Sequence, residues 1–223
     1  MRQRKLVTLS LLAIGLVALI ETGAPNARAG TRVPDPALDD AVAGGKSQTI
    51  VLAGGCFWGV EEIFQHVRGV TSAVSGYSGG SARNADYELV STGKTGHAES
   101  VKITYDPGKV SLGQLLKVFF SVVHDPTQIN RQGPDVGPQY RSAVFYGSER
   151  QQRVAKAYID QLTSAHVFSA PIATQLVPLN GFYDAEPYHQ DFASKNPTHP
   201  YIVQIDKPKL EDFRITFPQL YVQ

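Results

Sequence analysis

A run of buried-strand character, Gln48 to Ala53, passes through Gly54-Gly55 directly into an amphipathic helix that begins at Cys56. On that helix Phe57, Val60, Phe64 and Val67 recur at three- and four-residue spacing and form one apolar stripe, with Ile63 beside it. Trp58 falls off the stripe, on the side shared with Glu62, where it lines a cleft beside the thiol or packs as an ordinary half-exposed residue. Cys56 is the only cysteine in the chain. The backbone N–H groups of a first helical turn lack intrahelical partners and carry partial positive charge, so a thiolate here is expected to be stabilised. The two glycines allow a sharp turn that brings bare N–H groups close to the sulfur.

Beyond this junction the pattern continues as alternating elements. Val70 to Tyr77 reads as a strand, Ser78 to Asp86 as a polar loop, and Gly96 to Tyr105 as a third strand closed by Asp106-Pro107-Gly108. Ser111 is placed to cap a helix whose Leu112, Leu115, Leu116, Phe119 and Val123 make an apolar face. A long loop, His124 to Gln139, precedes a fourth strand, Tyr140 to Tyr146, and loops of that length in compact domains are often functional. Ser148 with Gln151 predicts a capping box for a helix through Ala165, and Ile172 to Pro178 reads as another strand. The order β-α-β-β-α-β-α-β predicts an α+β fold of split βαβ (ferredoxin-like) type, with helices packed on a mixed sheet.

The N-terminus reads differently. Arg2, Arg4 and Lys5 precede the apolar run Leu6 to Ile20, and Ala27-Arg28-Ala29 offers a small-x-small cleavage site. Residues 1–29 are therefore expected to be a secretory signal peptide, its apolar run too short for a comfortable membrane span, although an uncleaved anchor is the minor alternative. This predicts an exported protein, periplasmic or secreted, with no stable membrane span after cleavage. Residues 30–47, carrying Pro34, Pro36, three aspartates and Gly44-Gly45, lack periodicity and predict a flexible linker. Residues 48–223 then form a single catalytic domain. Removing the leader's four basic residues and one acid takes the formal charge from +1 to −2, which leaves no nucleic-acid footprint. A lone cysteine in an oxidising compartment cannot serve an intrachain disulfide. Met1 is the only methionine, which suits a protein exposed to oxidants.

Glu99 is the second informative position. Strand alternation puts it on one face with Val101, Ile103 and Tyr105, an apolar face where desolvation would hold the carboxyl protonated as a proton donor. At the strand's start it would equally reach solvent or cap a neighbouring loop. Asp135 and Tyr140, in Asp135-Val136-Gly137-Pro138-Gln139-Tyr140, and Tyr87, after Asn84-Ala85-Asp86, are also ordinary turn or surface residues by composition. His97, His124 and His189 are candidate bases for Cys56, though a cysteine and histidine without fixed spacing is weak support. No clustered metal-ligand pattern or phosphate loop appears.

Taken together, Gly54-Gly55-Cys56-Phe57-Trp58-Gly59, Gly76-Tyr77-Ser78-Gly79-Gly80, Thr95-Gly96-His97-Ala98-Glu99, His124-Asp125-Pro126, Asp135 with Gln139-Tyr140-Arg141-Ser142, and Glu186 to Gln190 resemble the A-type peptide-methionine sulfoxide reductases, in order and across nearly all of Thr49 to Phe192. The resemblance implies reduction of the S epimer of methionine sulfoxide, free or in proteins, without metal or bound cofactor. It implies Cys56 as nucleophile, Phe57 and Trp58 as walls around the substrate's S-methyl group, and Glu99 as acid. It further implies Tyr87 and Tyr140 as phenols on the sulfoxide oxygen, and Asp135 as a carboxylate of the same site. Many members carry further cysteines that attack the resulting sulfenic acid; this chain has none, so an external thiol reductant, a thioredoxin-like protein or a small thiol, is expected to complete the cycle. Two other readings of the cysteine stand beside it: a hydrolase or acyltransferase pairing Cys56 with His97 or His189, and a non-catalytic module that holds methyl-sulfoxide groups.

Overall fold

The computed structural model describes residues 31–39 and 46–223, so the predicted signal peptide and residues 30 and 40–45 of the linker lie outside the described residues. Strands β1 (Gln48–Gly54), β2 (Val70–Ser78), β3 (Ala98–Tyr105), β4 (Arg131–Gln132), β5 (Asp135–Val136), β6 (Ser142–Tyr146), β7 (Gln175–Pro178) and β8 (Phe182–Asp184) alternate with six helices. These are α1 (Phe57–Gln65), α2 (Tyr87–Val90), α3 (Leu112–Val118), α4 (Glu149–Ser164), α5 (Phe192–Lys195) and α6 (Lys207–Thr216). Six strands form one sheet in the order β7-β6-β1-β3-β2-β8. Its centre is the expected split βαβ: β1 and β2, joined by α1, both run antiparallel to β3 inserted between them. β6 pairs antiparallel with β1, β8 antiparallel with β2, and β7 parallel with β6, which makes the sheet mixed. The fold is α+β, as predicted.

Alternation along the strands divides the core. Ile50 and Leu52 of β1, and Val101, Ile103 and Tyr105 of β3, face the helices and join the α1 stripe of Phe57, Val60, Ile63 and Phe64. Val51, Ala53, Ala98, Ala143 and Phe145 form a smaller cluster on the opposite face with Val177, Leu179 and Phe182. Each large side chain so buried contributes about 1.5–3 kcal/mol, which is why α1 is held against the sheet along its whole length.

Local chemistry moves several boundaries. Gly96 has φ +79° and Arg141 collects the carbonyls of Gly96 and His97, so β3 starts at Ala98 rather than Gly96. Pro138–Tyr140 winds into a single 3-10 turn, and β6 consequently begins at Ser142. The long loop after His124 contains the β4–β5 hairpin. The full capping box lies at Ser111 and Gln114. At α4, Ser148 accepts from the Gln151 amide, but the Gln151 side chain reaches Gly147 N and Thr49 O instead of returning to its cap.

Residues 31–39, expected within a flexible linker, lie docked against α3 and α4. Tyr158 Oη donates to Pro34 O at 2.8 Å, the Gln161 amide brackets Ala37 N and Asp35 O, and Asp39 joins Ser111 and accepts from Gly113 N at the start of α3. Val33 is buried beneath them. Without periodicity these contacts leave no local signature, because each is made to a residue more than 70 positions away. Among the described residues no helix is long and apolar enough to cross a membrane.

Candidate active site

Cys56 stands at the N-cap of α1, where β1 ends, with Gly55 before it at φ +99°. Only a residue without Cβ fits there: an added methyl would lie 2.7 Å from Gln132, whose amide in turn brackets Asp125 N and O. Cys56 is buried, 8 % exposed. The first free amide of the helix, Phe57 N–H, donates to Glu99 Oε2 at 3.0 Å, so the carboxyl predicted for the apolar face does turn inward, 2 % exposed, beside the cysteine.

Burial dominates the electrostatics of both groups. It pushes the Glu99 carboxyl up to about 8 against the Phe57 amide, with Asp135 adding to the rise. Glu99 is therefore protonated at neutral pH, as a proton donor must be. Burial also raises the Cys56 thiol, assisted by Glu99, Asp206 and Asp135, while the backbone N–H of Trp58 pulls the other way. This corrects the expectation of a resting thiolate. The helix-end amides act as anticipated, but desolvation outweighs them, and the unliganded site holds a thiol.

The other predicted residues gather around this pair. Tyr87 opens α2, and its backbone N–H is fixed by Glu186 Oε1 at 2.9 Å. Burial and then Glu99 raise its phenol, and the same two causes, in the same order, raise Tyr140. Both hydroxyls are thus protonated donors close to the acid. Asp135, on β5, accepts from Tyr201 Oη at 2.5 Å. Phe57 is buried, and Trp58 is half-buried, stacked on Phe192 at 3.8 Å and edge-on to Tyr201 at 5.9 Å. Cys56, Phe57, Trp58, Tyr87, Glu99, Asp135 and Tyr140 are thereby brought to one place.

The three histidines divide. His97 uses Nδ1 for Gly80 N and Nε2 for Ser81 O, and His124 spends both nitrogens on Phe119 O and Ser142 Oγ. Burial pushes His124 down to about 3, so it is a neutral packing residue. His189 is in the site, its ring 4.3 Å from that of Tyr87 and 5.0 Å from that of Phe57, but its Nδ1 accepts from Trp58 Nε1 at 3.1 Å. None of the three hydrogen-bonds the sulfur, and a carboxyl and phenols face it instead. That arrangement suits protonation of an oxygen on an electrophilic sulfur and lacks the cysteine–histidine pair of a hydrolase. Among the described residues no group of three or more histidine, cysteine or acidic side chains is placed to hold a metal ion.

A family model for peptide methionine sulfoxide reductase matches residues 48–220, the whole of this sheet and its helices. The chain belongs to that family. It is 56 % identical over 184 residues to the peptide methionine sulfoxide reductase MsrA 2 of Mesorhizobium japonicum, covering 82 % of this chain and 94 % of that protein. To MsrA 2 of Synechocystis sp. it is 53 % identical over 186 residues, 82 % of this chain and 86 % of the relative. The crystal structure of reduced Mxr1 from Saccharomyces cerevisiae superposes with a TM-score of 0.62 at 32 % identity, over 72 % of this chain and 94 % of the other. The chain is accordingly a peptide methionine sulfoxide reductase, an oxidoreductase.

The Glu186 to Gln190 motif and His189, quoted from the sequence without these roles, hold the walls of the reductase site, while Tyr201 and Asp206 were not singled out at all. Glu186 joins Tyr87 N to Tyr77 Oη, His189 holds the Trp58 indole, and Gln190 clamps the backbone of Ser75, so the Glu186 to Gln190 motif is a bracket for the pocket walls. Tyr201 and Asp206 come from the C-terminal segment. Their only local signal was an aromatic and an acid in a stretch without clear amphipathic spacing.

Proposed function

We propose that this reductase acts on methionine-S-sulfoxide, free and within proteins, by attack of Cys56 on the sulfoxide sulfur. The supporting observation is the protonated Glu99 carboxyl, hydrogen-bonded to the first amide after the cysteine. As the sulfur–sulfur approach closes, Glu99 gives its proton to the sulfoxide oxygen, and Tyr87 and Tyr140 hydrogen-bond that oxygen while charge develops on it. Phe57 and Trp58 wall the methyl group. Asp135, with Tyr201 on its carboxyl, sits at the edge of the same pocket. Methionine leaves and Cys56 becomes a sulfenic acid; two electrons pass from the cysteine sulfur to the substrate sulfur, and the oxygen changes owner.

No second cysteine exists to attack that sulfenic acid, so two thiols from outside complete the cycle, from two small molecules or the dithiol of a thioredoxin-like protein. With a signal peptide over residues 1–29 the clients are oxidised methionines of exported proteins, in the periplasm or outside the cell, and the protein's task is their repair. The chemistry is tested by mixing the protein with each epimer of methionine sulfoxide, without reductant, and weighing it. One added oxygen on Cys56 with stoichiometric methionine from the S epimer alone is expected; Cys56→Ser should give neither. Methionine formed without a mass change on Cys56 would refute the sulfenic acid.

A further inference from the structure

Asp206 is a buried carboxyl that the sulfoxide chemistry above leaves unused. It ends the π-helical turn Ile202–Asp206 and leads into α6, and it is 2 % exposed. Neither of its oxygens has a hydrogen-bond partner among the described residues; the nearest cation, Lys209 Nζ, stands 3.6 Å from Oδ1. A buried acid whose one partner is an ammonium at that distance is poorly compensated for its lost hydration, so its presence calls for an explanation. Irregular π-type turns are themselves frequent at functional sites.

Its position supplies one. A Cβ on Gly59 would lie 2.2 Å from Asp206 Oδ1 and 2.6 Å from Cγ, so the carboxyl rests directly on the glycine's Cα. Gly59 lies in the first turn of α1, and a Cβ there tilts toward the helix N-terminus, the end that Cys56 caps. The carboxyl therefore lies along the first turn of α1 on the side of the cysteine, and its charge is felt by the Cys56 thiol and the Tyr201 phenol. Behind it is a cavity of about 90 Å³, lined also by Glu62, Ser194, Pro197 and Lys207.

The reaction needs such a group. Cys56 rests as a thiol, and its proton must go somewhere when the sulfur attacks. Glu99 is already protonated, and the phenols of Tyr87, Tyr140 and Tyr201 are raised and equally protonated. His189 Nδ1 is engaged by the Trp58 indole; its Nε2 has no partner, but the ring packs against Phe57, Tyr87 and Tyr188 and is not among the groups acting on the thiol, and Asp135 Oδ2 is engaged by Tyr201. Asp206 is the carboxyl acting on the thiol that no hydrogen bond within normal distance occupies, its one partner being the Lys209 ammonium at 3.6 Å.

We propose that Asp206 is the base of the reductase, taking the Cys56 thiol proton as the sulfur attacks, while Glu99 gives its own proton to the sulfoxide oxygen. This rests on the reading that Cys56 is the atom oxidised. The S–H bond breaks and its proton passes to the Asp206 carboxylate as the cysteine sulfur bonds to the sulfoxide sulfur; the oxygen, protonated by Glu99, then passes to the cysteine sulfur as the sulfoxide S–O bond and the new S–S bond break, leaving methionine and the sulfenic acid. When an external thiol attacks, its sulfur bonds to Cys56 as the S–OH bond breaks, its proton restores Glu99, and the proton held by Asp206 leaves with the hydroxide as water; a second thiol then takes the first as a disulfide and returns Cys56 to the thiol. Atoms and charges balance throughout.

The groups facing Asp206 are Lys209 on α6, Glu62 on α1, Asp135 on β5, and Cys56 and Tyr201. Burial lifts its carboxyl to about 6 and Lys209 opposes the rise, so at pH 7 it is mostly ionised and able to accept.

The test is single-turnover reduction of free methionine sulfoxide by the full chain, without reductant, from pH 5 to 8.5. In the wild type the rate should climb through an inflection near 6, where Asp206 ionises. Asp206→Asn should slow the step on the order of 10²-fold at pH 7 and abolish the inflection, with the half-saturating substrate concentration unchanged. Lys209→Met, a change at a partly exposed side chain, should move the inflection to higher pH. An Asn variant within about twofold of wild type, or one slowed equally at every pH with the inflection kept, would overturn the proposal. Should the Asn variant fail to fold, an unmoved inflection in Lys209→Met overturns it and a raised one supports it. A wild type that reduces nothing removes the underlying reading of Cys56, whereas a working wild type with an indifferent variant removes Asp206 alone.

Discussion

Replacing Glu99 by glutamine separates the two things that burial does to this acid. Holding a carboxyl at about 8 in the fold, against 4.5 in the unfolded chain, corresponds to roughly 5 kcal/mol of preference for the protonated form. The sign follows from the proton balance. The folded protein binds the proton more tightly, so the stability associated with Glu99 is fully present below pH 4.5 and is lost as pH rises through about 8. Glutamine keeps the shape and an acceptor for Phe57 N–H but never ionises. The variant should therefore match wild type near pH 4.5 and become progressively more stable than it, by up to about 1.4 kcal/mol per pH unit, approaching roughly 5 kcal/mol above pH 8. Glu61, lifted to about 7, and Asp206, to about 6, titrate over part of the same window. Both are present in each protein and cancel in the difference. Urea unfolding of the two proteins at half-unit pH steps measures this directly, provided the m-values agree. The same substitution should slow single-turnover sulfoxide reduction by about 10²–10⁴-fold, because no proton is left to give. A stability difference constant within about 1 kcal/mol between pH 5 and 8 would refute the buried, protonated acid.

Two further substitutions probe the geometry. Tyr201→Phe keeps the ring against Trp58 but deprives Asp135 of its 2.5 Å donor, and should cost about 1.5–3 kcal/mol in chemical denaturation, with the Asp135 carboxyl rising further from its ordinary value. Gly55→Ala forces a side chain onto a backbone at φ +99° and into Gln132 at 2.7 Å, so a loss of about 1–3 kcal/mol is expected, together with slower reduction as the Asp125 turn is displaced. Thermal melts and turnover on the purified variant check both effects.

What could be read from the sequence follows from how far each property reaches along the chain. Strand alternation is local, and it sufficed to put Glu99 with Val101, Ile103 and Tyr105; whether that face was deep enough to exclude water depended on α1 lying across it. The Gly-Gly turn and helix start likewise located Cys56 from nine consecutive residues. The contacts of Trp58 with Phe192, His199 and Tyr201 reach more than 130 residues along the chain, and no period in either segment announces them. The C-terminal helix buries only Phe213, leaves Ile215 exposed, opens with Pro208 in its first turn, and was accordingly not anticipated.

Ionisation is the property that local reasoning handled worst, and the reason is general. A helix end contributes a few oriented amides, all of them visible in the neighbouring sequence, whereas desolvation is the sum of everything that covers a group. For Cys56 that cover comes from β3, the β4–β5 hairpin and the segment around Asp206, which lie 43 to 150 residues downstream. A sequence can therefore name a nucleophile while misjudging its proton. The same distance explains the site's division of labour. The acid sits on the strand next to the nucleophile's own, where alternation betrays it, but the group that can receive the thiol's proton arrives on an aperiodic turn and is recognisable only by the glycine it rests on and the partners it lacks.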